Sequence, residues 1–113
     1  MNDGPEVAAL AAVLEDDCAR TILVATREDA LSVSELADAC GVSEPTVYRR
    51  LETLRERDLI EERTRFDADG HHHGVFTASV ERVAFRIAAD GVDVEIARRS
   101  SMADRFTDIV EGL

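Results

Sequence analysis

Hydrophobic residues recur every three or four positions through the first half of the chain, which is the spacing of one side of an α-helix. This pattern predicts a first helix at residues 5–14, with Pro5 in its first turn. It also predicts a second helix at about residues 16–27 and a short third helix at residues 35–40. Ser32 or Ser34 is expected to cap the third helix at its N-terminus.

The fourth predicted helix, at about residues 44–57, has the clearest apolar stripe, formed by Val47, Leu51 and Leu54 at positions i, i+4 and i+7. Gly41 is expected to end the third helix, at a position that favours a left-handed backbone. Ser43 is placed to cap the fourth helix. Two helices joined by a short turn that contains glycine predict a helix-turn-helix.

Beyond Asp58 the hydrophobic period changes from helical to alternating, which indicates strands. Residues 59–66 and 74–80 form the first predicted pair, and the turn DADGHHH separates them. A second pair lies within residues 83–96, where apolar residues alternate on both sides of AADG. A hairpin directly after the longer helix predicts a wing, and the second hairpin is a structural extension or a dimer surface.

The last segment, from Ser101 to the end, predicts an amphipathic helix. The expected fold class is therefore α+β, mainly α: a winged helix-turn-helix with an additional C-terminal β-hairpin and a terminal helix. Residues 1–80 are predicted to form the winged core, with a recognition helix at about 44–57 and a wing at about 59–80. Residues 81–113 are expected to belong to the same domain.

Composition adds information about the environment of the chain. Its 113 residues are 45% hydrophobic, which suits one folded domain. The net charge is −11, and all 13 basic residues are arginine. Acidity alone often means only solubility, but an acidic chain without lysine is typical of proteins from molar salt, where screening acts over ~3 Å. Because the sequence has neither an apolar run of ~20 residues nor a secretory signal, we expect a cytoplasmic protein.

The positive charge is concentrated in one stretch. Residues 41–65 contain six of the arginines, and between Glu44 and Phe66 six arginines balance six acidic residues. The whole net charge of −11 therefore lies elsewhere in the chain. The least negative part of the molecule is the predicted helix-turn-helix, as expected of a surface that meets the phosphates of DNA.

The segment SVSELADACGVSEPTVYRRLETLRERDLIEERTRFDADGHHH contains these parts in order. In SELADACGVSEPTVYRRLETL, in the DLIEE that follows and in the DGHH of the wing, the sequence resembles a haloarchaeal winged helix-turn-helix regulator of the ArsR type. The resemblance covers about residues 16–80. It implies a transcriptional regulator at the nucleoid that binds double-stranded DNA as a homodimer, without a cofactor, and reads two half-sites ~34 Å apart.

The residues that face DNA are expected opposite the apolar stripe of the fourth helix. Arg49 is our candidate for a bidentate contact to guanine, because recognition helices read bases with their N-terminal half. The full candidate set for DNA binding is Ser43, Pro45, Thr46, Tyr48, Arg49, Arg50, Thr53, Arg63, Arg65, His71 and His72. The alternative is that arginines only pair with acidic residues of the same helix, and we favour this alternative for Arg55 and Arg57.

Two cysteines, Cys18 and Cys40, are candidates for a regulatory role. They lie far apart without CxxC spacing, so no structural disulfide is expected. One interpretation is that both are buried and inert. The other is a thiol switch, for which Cys18 near a helix N-terminus is the better candidate, although Asp16 and Asp17 beside it oppose thiolate formation.

Neither a metal site nor a catalytic site is predicted. Of the three histidines at residues 71–73, at most His71 and His73 share a face, and two imidazoles make an incomplete site. The CxC pair of metal-responsive ArsR regulators is missing from the sequence. No pairing of nucleophile and base, phosphate loop or metal triad can be assembled, so we do not expect an enzyme.

At least one terminal helix is expected to form a two-fold interface. The candidates for this interface are Leu10, Leu14, Phe106, Ile109, Val110 and Leu113. The acidity of the chain leaves a second function open: a non-enzymatic winged-helix module that binds a protein in a transcription or replication assembly.

Overall fold

The computed structural model describes residues 4–99, which form four helices followed by four strands. The helices are α1 (Pro5–Glu15), α2 (Asp17–Ala25), α3 (Val33–Cys40) and α4 (Glu44–Glu56). The strands are β1 (Ile60–Phe66), β2 (His72–Ala78), β3 (Val80–Ala88) and β4 (Gly91–Arg98), paired as two separate antiparallel hairpins. This confirms the α+β class. The predicted terminal helix, with Phe106, Ile109, Val110 and Leu113, lies outside the described residues.

A single residue, Asp16, separates α1 from α2 and serves the ends of both. Its N–H donates to the carbonyl of Val13 at 3.2 Å, and its carboxylate accepts the N–H of Ala19 at 2.7 Å. The same carboxylate accepts Nε of Arg50 on α4 at 2.9 Å. Burial alone would raise the pKa of Asp16, but the Ala19 N–H and the charge of Arg50 outweigh it and lower that pKa. Asp16 therefore connects the first two helices to α4.

Helix α3 begins with a capping box that decides between the two candidate serines. Oγ of Ser32 accepts the N–H of Glu35 at 3.2 Å, and the Glu35 carboxylate accepts the N–H of Ser32 at 2.9 Å. Two N–H groups that the helix leaves without partners are thereby satisfied. The helix starts at Val33 as a result, two residues before the predicted start.

The turn from α3 to α4 follows the sequence prediction. Gly41 has a left-handed backbone with φ 68, and Ser43 caps α4 through the N–H of Thr46 at 3.4 Å. The apolar stripe of α4 is buried and consists of Val47, Leu51 and Leu54. Beyond the end of α4, Asp58 takes a φ of 55 before the chain enters β1.

The first hairpin, β1–β2, is shifted from its predicted bounds. Strand β2 begins at His72, so only His71 of the three histidines lies in the turn. The prediction that all three do was wrong, because Asp67 N–H bonds to the carbonyl of His71 at 2.9 Å and the strands pair from Phe66 onward. Strand β2 also ends at Ala78, and the residues predicted to continue it turn into β3.

The first hairpin is attached to the segment that precedes α3. Leu31 and Phe76 exchange backbone hydrogen bonds of 3.1 and 2.8 Å, and the N–H of Ala78 donates to the carbonyl of Thr26 at 3.1 Å. These bonds add a short third partner to the edge of β2. The hairpin is thus held beside the helix-turn-helix rather than connected to it by the chain alone.

The hydrophobic core lies between the four helices and the start of the first hairpin. It consists of Leu10, Val13, Ala19, Ile22, Val33, Leu36, Val47, Leu51, Leu54, Leu59, Ile60 and Phe76. Leu10 has no exposed surface in the single chain, and its role as a dimer contact stays a prediction. Leu14, at the end of the same helix, is only partly buried.

The second hairpin, β3–β4, is joined to the rest of the molecule at its base. Val80 pairs with Arg98, and the register shifts between Val80 and Arg82. The N–H of Arg99 donates to the carbonyl of Ser79 at 2.9 Å, and the Arg98 guanidinium donates to the carbonyl of Asp58. Among residues 4–99, none of the helices is both long and apolar enough to cross a membrane.

Asp16→Ala removes the cap of α2 and the partner of Arg50 together. A lost cap costs ~1 kcal/mol and a partly exposed ion pair up to ~1 kcal/mol, so the free energy of unfolding at pH 7 should fall by about 1–2 kcal/mol. Folding lowers the pKa of Asp16, so its stabilisation exists above the ordinary value of 3.8 and disappears as the pH falls through the lower folded value. Denaturant unfolding at pH 7 and below pH 3.8 measures both effects.

The control is Asp17→Ala at the neighbouring residue, whose side chain is 93% exposed. This change should alter the free energy of unfolding by about 0.5 kcal/mol or less. If the two variants lost the same free energy of unfolding, the contacts of Asp16 would not be the cause of the destabilisation.

Candidate nucleic-acid interface

The exposed side of α4 carries the predicted DNA contacts. Pro45, Tyr48, Arg49 and Thr53 are exposed, whereas Thr46 and Arg50 are partly buried. Tyr48 is the largest apolar ring on this side and is 58% exposed. The buried stripe on the other side of α4 fixes this orientation, so these groups point away from the core together.

Arg49 is held by the hydroxyl group of Thr46 rather than by a carboxylate. Its Nη2 donates to Oγ1 of Thr46 at 3.2 Å, and that hydroxyl also contacts Oγ of Ser43 at 3.1 Å. Among residues 4–99 the ion pairs involve other arginines and not Arg49. A guanidinium has five N–H donors, so Arg49 is oriented near the start of α4 and keeps donors for an external acceptor.

Arg50, the next residue of α4, bonds to a residue outside the helix. Its Nε bonds to Asp16 at 2.9 Å, and about a third of each side chain is exposed, 34% and 31%. The contact joins residues 34 positions apart. Arg50 therefore connects α4 to the junction of α1 and α2.

The arginines of the first hairpin also contact acceptors in the chain. Arg63 pairs with Glu61 at 2.8 Å. Arg65 donates to the carbonyl of Ala30 at 2.6 Å and to Glu35 at 3.4 Å. The hydrogen bond from the Ser32 N–H, with further help from Arg65, lowers the pKa of Glu35. Arg65 thus ties β1 to the N-terminus of α3.

An open groove of about 650 Å³ lies between α4 and the first hairpin. Arg55 lines it and bonds to Glu62 of β1 at 3.1 Å. We expected Arg55 to pair with acidic residues of its own helix. This prediction was wrong, because Glu62, its partner, lies on β1. The Glu62 carboxylate lies close to Gly74 of β2. A Cβ at this position would be only 2.7 Å from Oε2 of Glu62, so the glycine leaves room for the Glu62 side chain. The Arg55–Glu62 pair joins α4 to the first hairpin.

The tip of the first hairpin carries an aromatic pair. The ring of His72 meets Phe66 edge-on at 4.6 Å between centroids. Phe66 is 70% exposed. His71 lies in the adjoining turn, so both predicted histidine contacts are exposed at the same end of the hairpin.

The same tip also gathers acidic residues that the sequence analysis did not use. Ligand atoms of Asp67, Asp69 and His71 lie within 4.8 Å of one another, and all three residues are close enough to share a metal ion. His73, the other imidazole considered above, bonds to Asp67 at 2.7 Å instead. The turn brings carboxylates to the imidazoles, an arrangement that the run of histidines in the sequence does not predict. Exposed sets of this kind are common on proteins without a metal.

The two cysteines are neighbours although 22 residues separate them in the chain. Both are free and partly buried, and Sγ of Cys40 donates to the carbonyl of Cys18 at 3.7 Å. Burial, followed by the nearby Cys18 thiol, raises the pKa of Cys40 to about 11. An open pocket of about 630 Å³ lies beside both residues.

Comparison with known proteins agrees with this geometry. Residues 14–63 match the model of a family described as a helix-turn-helix domain. No curated protein matches the chain. The matched residues contain α2, α3 and α4 and the first residues of β1, which include most of the candidate contacts. The match supports a winged helix-turn-helix regulator with DNA as its partner.

Proposed function

We propose that the protein is a sequence-specific, DNA-binding transcriptional regulator that acts as a homodimer. The observation that carries this proposal is Arg49, a guanidinium held by a hydroxyl at the start of α4, on the side away from the core. Arginine in this position suits a bidentate bond to O6 and N7 of guanine. Thr46 and Tyr48 are proposed to contact neighbouring base edges or phosphates, and Arg50 a phosphate.

The acidity of the chain favours an interaction based on fixed hydrogen bonds. In molar salt the release of counterions adds little to DNA affinity. Under these conditions the planar, bidentate guanidinium of arginine contributes more to DNA affinity than the hydrated ammonium of lysine. This fits a chain whose basic residues are all arginine. We therefore keep the haloarchaeal, ArsR-type assignment as part of the proposal, with the protein acting at the nucleoid.

A thiol switch is the second part of the proposal. A peroxide would oxidise the thiol of Cys18 to a sulfenic acid and release water; attack by the sulfur of Cys40 would then form a disulfide and release a second water. Burial raises the pKa of Cys40 to about 11 and so disfavours its thiolate, and we assign the first oxidation to Cys18, near the N-terminus of α2. Cys18 lies two residues after Asp16, which holds Arg50, so closure would strain the attachment of α4.

The alternative function is a winged-helix module that binds a protein partner. The carboxylates of Glu52, Glu56 and Glu62 in the groove beside α4 favour it, because they would repel phosphates. The two functions differ in one simple observation. A regulator enriches a short, roughly palindromic motif from genomic DNA fragments in molar KCl, whereas a protein-binding module enriches none.

Arg49→Ala should weaken binding to the enriched motif by ~1–3 kcal/mol, which is about 5–150-fold in the dissociation constant. The loss follows from a missing bidentate contact to guanine. Fluorescence anisotropy with a labelled duplex in molar KCl measures it. Arg57→Ala is the matched control, since it removes the same charge from the far end of α4. Equal losses in the two variants, or no loss in either, would contradict the role of Arg49.

Peroxide treatment should weaken DNA binding by the reduced protein about tenfold or more, within the usual range of coupling between sites, and reductant should restore it. Cys18→Ala should bind the same motif and ignore peroxide. Cys40→Ala separates the two oxidation products, because it can form the sulfenic acid but not the disulfide, and mass spectrometry distinguishes them. Wild-type binding that is unchanged by peroxide would eliminate the switch and leave the regulator.

A further inference from the structure

The ring of Phe66 is exposed at the outer end of the first hairpin. Phe66 is 70% exposed, more than any other Phe or Tyr in residues 4–99. Its cross-strand partner, His72, meets it edge-on with 4.6 Å between the ring centroids. Such a pair supports the hairpin, but it covers only a small part of the Phe66 ring. Most of the ring is therefore free to contact another molecule.

Phe66 lies on the face of the hairpin that is turned toward α4. Side chains alternate between the two faces of a strand, so Phe66 shares a face with Glu62, four positions earlier in β1. Glu62 bonds to Arg55 of α4 and lines the groove between α4 and the hairpin together with Tyr48 and Arg49. A DNA duplex that lies along the exposed side of α4 therefore meets the face that carries Phe66.

The reach of the hairpin matches the spacing of the grooves of DNA. Four residues of a strand span ~13 Å, which is the distance along β1 from Glu62 to Phe66. With the ~5 Å radius of a helix, the ring lies up to ~18 Å from the axis of α4. The centre of a minor groove is half a turn, or ~17 Å, from the centre of the adjacent major groove. If α4 occupies a major groove, Phe66 is within reach of the neighbouring minor groove.

The charged groups of the first hairpin are largely paired within the chain. Both of its arginines and two of its three imidazoles contact carboxylates, as Arg63–Glu61, Arg65–Glu35, His71–Asp69 and His73–Asp67. A phosphate would have to compete with these carboxylates, and the two aspartates of the turn disfavour close contact with phosphates. The ring of Phe66 is available to DNA without the loss of an ion pair.

We propose that Phe66 is a minor-groove wedge, an apolar side chain that enters the minor groove beside the half-site of α4 and partly unstacks one base step. The proposal rests on the proposed function and deepens it, because it names a residue through which the wing contributes specificity. Pyrimidine–purine steps unstack most easily, so the ring selects a sequence by its deformability and needs no hydrogen bond to a base. His72 is the positioning residue that orients the ring.

Molar salt favours an apolar contact of this kind over an ionic one. Salt reduces the contribution of counterion release to DNA affinity. Burial of an apolar ring involves no charge, so screening does not weaken it. The contribution of Phe66 is therefore retained at salt concentrations at which a phosphate contact contributes little.

The test uses the full chain in molar KCl and the enriched motif with 2-aminopurine placed at each flanking position in turn, since the fluorescence of this base rises when it is unstacked. The wild type should raise the fluorescence at one flanking step of each half-site. Phe66→Ala should abolish this rise and increase the dissociation constant about tenfold. Phe66→Leu keeps an apolar wedge and should retain most of both properties.

Phe85→Ala is the matched control, because it removes the same ring from the second hairpin, where Phe85 is 41% exposed. This variant should bind and unstack the motif like the wild type. The ratio of the dissociation constants of Phe66→Ala and the wild type should stay constant as the KCl concentration is varied. Circular dichroism checks that each variant folds.

Three results would overturn the proposal. They are a wild type that unstacks no flanking step, a Phe66→Ala variant that unstacks and binds like the wild type, and a loss in Phe66→Ala that disappears as the salt concentration rises. The last result would indicate an ionic role of the wing tip in place of an apolar one.

Failure of this inference is distinguishable from failure of the proposed function. If no motif is enriched, the proposed function fails and the wedge fails with it. If the motif is bound and Arg49→Ala weakens binding while Phe66→Ala has no effect, only the wedge is rejected. At saturating concentration Arg49→Ala should still unstack the flanking step, because the two residues contact different grooves.

Discussion

The burial of one stripe on α4 is the constraint on which the rest of this structure depends. Val47, Leu51 and Leu54 are almost completely removed from water, and each such side chain contributes ~1.5–3 kcal/mol. A rotation of α4 by one residue, ~100°, would expose the stripe and bury charged side chains. The stripe therefore dictates that Arg49 faces outward, while the bond from Arg50 to Asp16 connects α4 to the junction of α1 and α2. The orientation of the candidate DNA surface is therefore set by packing within the chain and does not require bound DNA.

The second general feature is that different arginines of this chain have different roles. Arg50, Arg55 and Arg65 hold elements together through Asp16, Glu62 and Glu35, three contacts that connect α4 and the first hairpin to their surroundings. Arg49 takes part in no such pair within residues 4–99 and rests on Thr46. In a chain with so many carboxylates, an arginine near the surface finds an acidic partner easily. Arg57, Arg82, Arg98 and Arg99 also take part in none of these ion pairs, so Arg49 is distinguished by its position on the exposed side of α4 together with its free donors.

The sequence predicted the parts of the fold that local chemistry controls. The Gly41 turn, the Ser43 cap and the stripe of α4 all depend on residues within one or two helical turns. The bond of Asp16 to Arg50 and the proximity of the two cysteines join residues more than 20 positions apart, and no local pattern encodes them. The start of β2 was wrong because a run of histidines in a DG turn gives no hydrophobic period. The full burial of Leu10 could not be predicted either, because an apolar helix face looks the same in sequence whether it meets the core or a partner.

The most direct test of the central claim joins a protein change to a DNA change. The guanine assigned to Arg49 is replaced by 7-deazaguanine, which lacks the N7 acceptor, and binding is measured for the wild type and for Arg49→Ala. If the two groups touch, the base change weakens the wild type by ~1 kcal/mol or more and hardly affects the variant, so that the double change costs less than the sum of the single ones. Losses that add in full at every guanine of the motif would show that Arg49 does not read these bases, and the account of α4 as the reading helix would then be contradicted.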